Sequence, residues 1–170
     1  MSDSNANTPA ESLSESAAPK RRKVWRYVFG VIVFLFVAIQ FIPYGHNHTN
    51  PPPTASVTWD SKATENLVRA ACYDCHSNET VWPWYSSVAP VSWLVQHDVD
   101  DGRKELNFSE GNLHEVDEAA EMIQSGEMPP WFYRPMHSGA KLSDSDKEAL
   151  IKGFAATFDS ATSHEEHEDE

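Results

Sequence analysis

The chain has 170 residues and a formal net charge of −13, and this charge is unevenly distributed. The first 43 residues carry five Lys and Arg against three acidic residues, whereas the remainder carries 8 basic and 23 acidic residues. Because nucleic-acid binding rewards clustered Lys and Arg, this balance excludes nucleic acid as a partner and favours basic or neutral proteins. The length fits one domain of ordinary size with appendages.

The amino-terminal region combines a polar segment with an apolar run. Residues 1–23 have no apolar periodicity and are predicted to be a disordered cytoplasmic segment. The run over residues 28–42 is interrupted only by Gly30 and Gln40, and aromatic residues flank it. We therefore expect one transmembrane signal anchor over residues 24–44, held in a lipid bilayer. We expect no cleavage, since no pair of small residues follows the run.

The basic residues predict the orientation of this anchor. All five Lys and Arg of the first 43 residues precede the apolar run, and the next basic residue is Lys62. The amino terminus is therefore expected in the cytoplasm, with the rest of the chain on the periplasmic side of a bacterial inner membrane. Residues 45–56 contain three consecutive prolines and are predicted to be a stiff linker.

Residues 57–160 are predicted to form a small all-α domain, because no alternating run of β-branched residues is long enough for a strand. Asp60 or Ser61 can cap a first helix that leads directly into Cys72. The acidic residues 161–170 are predicted to be a disordered tail.

Both cysteines of the chain lie in the C-x-x-C-H motif formed by residues 72–76. Cys72 and Cys75 can each form a thioether with a vinyl group of haem, and His76 can then bind the iron. The same residues could form a redox dithiol or half of a zinc site with His46 and His48. The sequence has neither the βαβ context of a redox dithiol nor good zinc-finger spacing, so we expect one covalently attached haem c.

Three further helices are predicted after the motif. The first covers about residues 90–101, with Gly102 following its end. The second covers about residues 113–125, with Gly126 as its stop. The third opens with a capping-box variant at residues 143–146. It places apolar side chains on one stripe, namely Leu150, Ile151, Phe154 and Phe158.

The second axial ligand of the iron has several candidates. Met128 follows a helix stop and precedes Pro129 and Pro130, so its thioether would lie on a conformationally restricted loop. Met128 could equally pack in the core, as most methionines do. His137 and His97 are the alternative ligands, and an open coordination position is the remaining possibility.

The order of these elements resembles that of a class I cytochrome c. More closely, four stretches resemble the haem-binding domain family of membrane-anchored, cytochrome-like bacterial proteins: ACYDCHSNET (71–80), WLVQHDV (93–99), GRKELNFSE (102–110) and MPPWFY (128–133). The resemblance covers residues 57–158. It implies a covalent haem in an exported domain, but it implies no particular partner or reaction.

Aromatic residues are frequent near the candidate ligands. We expect four residues to line the haem crevice because they adjoin the ligand segments, namely Trp82, Pro83, Trp84 and Trp131. No cationic partner for the haem propionates stands out from the sequence.

These features together predict a membrane-anchored c-type cytochrome that transfers electrons in the periplasm to a redox protein partner. The alternative is a haem-based gas or redox sensor, or a ligand-binding module, with an open or weakly ligated iron. We expect no enzymatic activity. Peroxidase-like catalysis would need an open iron and an acid–base residue such as His97 beside it.

Overall fold

The structure, a computed structural model, describes residues 18–113 and 116–165. The chain divides into two compact units, residues 1–42 and residues 43–170. Most of the predicted disordered amino terminus (1–17) and the end of the predicted acidic tail (166–170) lie outside the described residues.

The first unit contains helix α1, Ala18–Ile39. The sequence predicted a transmembrane helix over residues 24–44. The observed helix begins earlier, so that it includes all five basic residues, and it ends before Phe41 and Ile42. Among residues 18–113 and 116–165, no helix combines the length and apolar character needed to cross a membrane.

The regular secondary structure in the described part of the second unit is all helical, as predicted, with no strand there. Two short 3₁₀ helices cover Trp84–Ser87 and Ser138–Ala140. The α-helices are α2 (Lys62–Ala71), α3 (Tyr73–His76), α4 (Val91–Glu105), α5 (Val116–Ser125) and α6 (Asp144–Glu165). Helix α6 thus continues beyond residue 160, where the domain was predicted to end.

Local capping signals define three helix ends, and all three were predicted from the sequence. The Ser61 side chain caps α2 by accepting a hydrogen bond from the Thr64 N–H at 3.2 Å. Ser143 and Asp146 form a reciprocal capping box at the start of α6, with bonds of 3.2 Å and 2.9 Å. Gly126 follows α5 with a φ of 81°, which only glycine adopts without strain.

The predicted end of α4 is wrong. Gly102 does not stop this helix, which continues to Glu105, where the Leu106 N–H bonds the Gly102 carbonyl at 3.0 Å. Gly102 lies against the preceding helix α3, since a Cβ at this position would lie 2.7 Å from the Cys75 carbonyl oxygen. The glycine therefore permits a close helix–helix approach rather than a turn.

Helix α6 packs against α2 and α5, while α4 packs against α3 and the first 3₁₀ helix. The buried core consists of Val68, Tyr73, Leu106, Phe108, Ile123, Leu150 and Phe154.

The segment predicted as a linker, residues 45–56, also forms hydrogen bonds with the domain. Arg103 donates to the Thr49 carbonyl at 2.9 Å and to Asn50 at 2.9 Å, and the Thr54 N–H donates to the Ser109 carbonyl at 2.8 Å.

Candidate functional site

A cavity of about 420 Å³ lies between α3, α4, α5 and the loop that follows α5. Its wall includes all four residues that the sequence proposed as haem contacts, namely Cys72, Cys75, His76 and Met128. Apolar side chains form much of the remaining wall, among them Leu106, Phe108, Ile123, Leu150 and Phe154. Cofactor sites generally have this size and apolar character.

The two thiols reach this cavity because of the break between α2 and α3. Cys72 is the C-cap of α2 and also the N-cap of α3, and Cys75 lies one turn later in α3. Neither cysteine is in a disulfide. Burial raises the pKa of each thiol to about 12, and the neighbouring cysteine or carboxylates add to this. A redox dithiol needs a lowered pKa, so the surroundings do not suit that alternative.

His76 is oriented by backbone carbonyl groups. Its Nδ1 lies 2.9 Å from the Gly102 oxygen and 3.1 Å from the Leu106 oxygen. Because a carbonyl oxygen only accepts, Nδ1 must carry the proton, and Nε2 of the neutral ring then keeps its lone pair. Burial lowers the pKa of His76 and so favours this neutral ring. The outcome is an imidazole with its tautomer fixed for metal binding through Nε2.

Gly102 is a site residue that the sequence reading missed. It lines the cavity, its carbonyl accepts the His76 Nδ1–H, and its missing side chain leaves room for the backbone of Cys75. One sequence signal points to this role: Gly102 begins the stretch 102–110, which resembles the haem-binding domain family. A glycine near a predicted helix end is otherwise read as a stop.

Residues 128–133, the Met128 segment, are held over the cavity by a hydrogen bond at each end. At one end, the Met128 N–H donates to the Met122 carbonyl of α5 at 3.0 Å. At the other end, the Tyr133 hydroxyl donates to Asp74 Oδ2 at 2.6 Å, although the two residues are 59 positions apart. Asp74 lies between the two cysteines of the motif. The hydrogen bond therefore joins the Met128 segment directly to α3, which carries the C-x-x-C-H motif.

The two alternative iron ligands lie elsewhere. His97 is exposed on α4, where its Nε2 lies 3.4 Å from the Asp101 carboxylate, and it does not line the cavity. His137 lines a neighbouring groove instead. Its ring stacks on Tyr133 at 3.7 Å between centroids, and its Nδ1 donates to the Tyr133 carbonyl at 3.1 Å. His137 thus packs against one face of the Tyr133 ring.

The predicted aromatic crevice differs from the cavity that contains both cysteines. None of Trp82, Pro83, Trp84 and Trp131 lines that cavity, and Phe132 and Tyr133 do so instead. Pro83 and Trp84 line a neighbouring groove that shares Cys75 with it. Trp82 stacks on His48, and Trp84 and Trp131 are largely exposed. Trp82 and Trp84 lie after α3, and Trp131 lies in the loop after α5, so nearness in sequence to a ligand does not decide which way a side chain points.

Charged residues at the cavity are acidic. Asp98, Asp101 and Glu105 of α4 and Glu118 of α5 line it, and no Lys or Arg does so among the described residues. Arg103 instead bonds the Ser77 carbonyl and the linker, and Arg69 pairs with Glu65 and Glu79. The structure therefore assigns no cationic partner to the haem propionates.

The side chains that line this cavity fit haem better than they fit a zinc ion. Two thiols and an imidazole with its Nε2 lone pair free for a metal share an apolar wall with a thioether. A closed structural zinc site would need four ligands arranged around one point. Within residues 18–113 and 116–165, no group of three or more His, Cys, Asp or Glu side chains is arranged to hold a metal ion. His48 is engaged by the Ser86 carbonyl at 2.9 Å.

Comparison with known families agrees with this chemistry. A family profile described as "Haem-binding domain" matches residues 34–156, which is more than half of the chain. Neither a curated protein nor a solved structure matches the chain. The matched range contains the C-x-x-C-H motif, Gly102, Met128 and Tyr133. The chain belongs to the haem-binding domain family, and its cofactor is haem.

Proposed function

We propose that this protein is a c-type cytochrome that carries one covalently attached haem and transfers single electrons. The observation that carries the proposal is the common wall on which Cys72, Cys75, His76 and Met128 lie. Haem iron supplies reversible one-electron chemistry when it is bound, and its axial ligands set the potential.

Each of these residues has a separate role in the proposal. Cys72 and Cys75 would form the thioethers, and His76 would bind the iron through Nε2 while the Gly102 and Leu106 carbonyls accept its Nδ1–H. Met128, which lines the same cavity, would supply a thioether as the other ligand of the iron. A thioether ligand raises the reduction potential relative to a second histidine, which suits an electron carrier. With haem bound, the apolar wall would limit the access of water to the ligands.

The Met128→Ala variant tests the electron-carrier function. The oxidised wild-type protein should show the weak near-infrared sulfur-to-iron charge-transfer band, and the ferrous protein should not bind CO readily. In Met128→Ala the band should vanish and CO should bind. Met136→Ala is the matched control, because Met136 is exposed and lies outside the cavity. Ready CO binding by the wild-type protein would favour the sensor alternative.

Tyr133→Phe is expected to loosen the Met128 segment without releasing the haem. The substitution removes the hydroxyl that donates to Asp74 at 2.6 Å and leaves this carboxylate with one partner fewer. Loss of a hydrogen bond to a charged group costs about 1.5–3 kcal/mol. We expect a weaker charge-transfer band and faster CO binding. Tyr44→Phe, at an exposed tyrosine, should change neither property, and an unchanged spectrum in Tyr133→Phe would remove Tyr133 from this positioning role.

We further propose that residues 24–44 attach the protein to a bacterial inner membrane, with the haem domain in the periplasm. Residues 28–42 carry no charged side chain, and large apolar side chains such as Phe29, Phe34 and Phe41 are exposed. Exposed apolar surface of this extent is typical of membrane or protein contacts. The position of all five basic residues before this run supports a cytoplasmic amino terminus.

Membrane attachment predicts that the full chain sediments with membranes after an alkaline carbonate wash. A chain lacking residues 1–42 and directed to the periplasm by a cleavable signal should be released as a soluble haem protein. External protease should digest the haem domain in spheroplasts. Recovery of the full chain in the soluble fraction would contradict the attachment, and protection from the protease would contradict the orientation.

A further inference from the structure

An apolar groove of about 380 Å³ adjoins the haem cavity and is separate from it. The two share Cys75, Asp98, Phe132 and Tyr133 in their walls, so the groove reaches α3 from its other side. Six large apolar residues that line the groove are exposed, namely Val81, Trp84, Val91, Leu94, Phe132 and Met136. A group of exposed apolar side chains in one concave patch indicates a contact surface.

The charges around this groove have one sign. Asp74 and Asp98 line it, and no Lys or Arg does so in the part of the chain that the structure describes. On α4, Leu94, Asp98, Asp101 and Glu105 follow one another at helical spacing, so they form a single stripe. The stripe begins in the groove at Leu94 and ends at the haem cavity with Asp101 and Glu105. The three carboxylates of this stripe, Asp98, Asp101 and Glu105, are called the acidic stripe, and they connect the groove to the haem cavity.

We propose that this groove and its acidic stripe form the docking surface for a cationic redox protein, whose own contact face has an apolar centre and a Lys-rich rim. The proposal rests on the proposed electron-transfer function and adds the partner and its place of contact. Electron-transfer complexes are small and transient, with an apolar centre and charged surroundings that steer the encounter. The closeness of the groove to Cys75 would bring the partner near the haem.

Charge complementarity favours this occupant over others. The chain after residue 43 carries 23 acidic and 8 basic residues, so it repels a second copy of itself and attracts a basic partner. An anionic lipid surface is disfavoured for the same reason. The exposed Trp84 at the groove is the residue type that most often dominates protein interfaces.

Two exposed tryptophans provide a matched pair of variants. Trp84 is 78% exposed and lines the groove, and Trp131 is 75% exposed and lines neither the groove nor the haem cavity. Each packs edge-on against the next residue, with ring centroids 5.8 Å apart for Trp84 and Tyr85 and 5.9 Å apart for Trp131 and Phe132. Trp84→Lys and Trp131→Lys therefore make the same chemical change at two similar positions.

The test uses the full-length, haem-loaded protein in a neutral detergent. A Lys-rich soluble cytochrome c serves as the probe, and the same probe with succinylated lysines serves as its anionic control. Calorimetry with both proteins oxidised measures binding, and stopped-flow measures the passage of one electron from the reduced protein to the oxidised probe. In that step one iron is oxidised and the other reduced, and no bond or proton is exchanged.

We expect binding of the Lys-rich probe and a transfer rate that falls with added salt. The succinylated probe should not bind. Trp84→Lys should weaken binding about tenfold or more, as loss of a central interface tryptophan does, and Trp131→Lys should change it less than about twofold. All three proteins should be oxidised by ferricyanide at similar rates, which shows that the haem itself is unaltered.

Equal effects of the two substitutions, salt-independent transfer, or equal binding of the succinylated probe would overturn the docking surface while leaving the proposed function intact. Failure of ferricyanide to oxidise the reduced wild-type protein would overturn the function as well. If Trp84→Lys instead slowed reduction by a short-chain hydroquinone or split a dimer, the groove would belong to a small molecule or a second copy, and the proposal would be wrong.

Discussion

His76→Ala is expected to abolish the low-spin spectrum of the protein while its haem remains attached through Cys72 and Cys75. The backbone orients this imidazole, with Nδ1 bonded to the Gly102 and Leu106 carbonyls at 2.9 Å and 3.1 Å. Without it the iron would lose one of the two axial ligands that we propose, and axial ligands set both spin state and potential. The variant should be high-spin, with a reduction potential that differs from that of the wild type.

Absorption spectroscopy of oxidised and reduced protein, with a redox titration, measures this change. His97→Ala is the matched control, because His97 is exposed on α4 outside the cavity. His137→Ala tests the other candidate ligand, which lies in the neighbouring groove. A low-spin spectrum in His76→Ala, or a high-spin spectrum in either of the other variants, would contradict the assignment of the ligands.

Gly102→Ala is expected to destabilise the haem domain and disturb the His76 ligand together. Alanine is normally favoured over glycine within a helix by about 1 kcal/mol. Here the added Cβ would lie 2.7 Å from the Cys75 oxygen and 3.1 Å from both its carbonyl carbon and its Cβ. These atoms belong to α3 and cannot move aside alone. Overpacking of this kind costs about 1–3 kcal/mol, so the clash reverses the normal sign.

Denaturant unfolding of the haem-loaded protein, monitored by the haem band and by circular dichroism, measures this loss of stability. Gly30→Ala is the control, since it is also within a helix and its added Cβ would meet nothing within 4 Å. It should leave the unfolding of the haem domain unchanged. A midpoint for Gly102→Ala equal to or above that of the wild type would show that α3 and α4 do not need this close approach.

Sequence reasoning succeeded where the physical cause is local. The Ser61 cap, the Gly126 stop and the Ser143–Asp146 box each act within four residues, and each is present in the structure. The stripe of α6 was visible for the same reason, and Leu150 and Phe154 are buried in the core. A periodic pattern or a cap needs no knowledge of the rest of the chain.

The errors arose where a residue's role depends on a distant contact. Gly102 was read as a helix stop because its neighbour Cys75 lies in a different element. The Tyr133–Asp74 hydrogen bond spans 59 positions and leaves no periodic signal. Trp84 and Trp131 were expected in the crevice and are instead exposed. The direction of a side chain on a loop follows from tertiary packing rather than from local propensity.

The attachment of haem is the central claim, and the intact mass of the denatured protein tests it most directly. The full chain is produced in a host with a haem-attachment system, denatured in acid and weighed. We predict the mass of the polypeptide plus one haem, and the mass of the polypeptide alone for the Cys72→Ser and Cys75→Ser double variant. A folded wild-type protein with the bare polypeptide mass and a Cys72–Cys75 disulfide would contradict the claim.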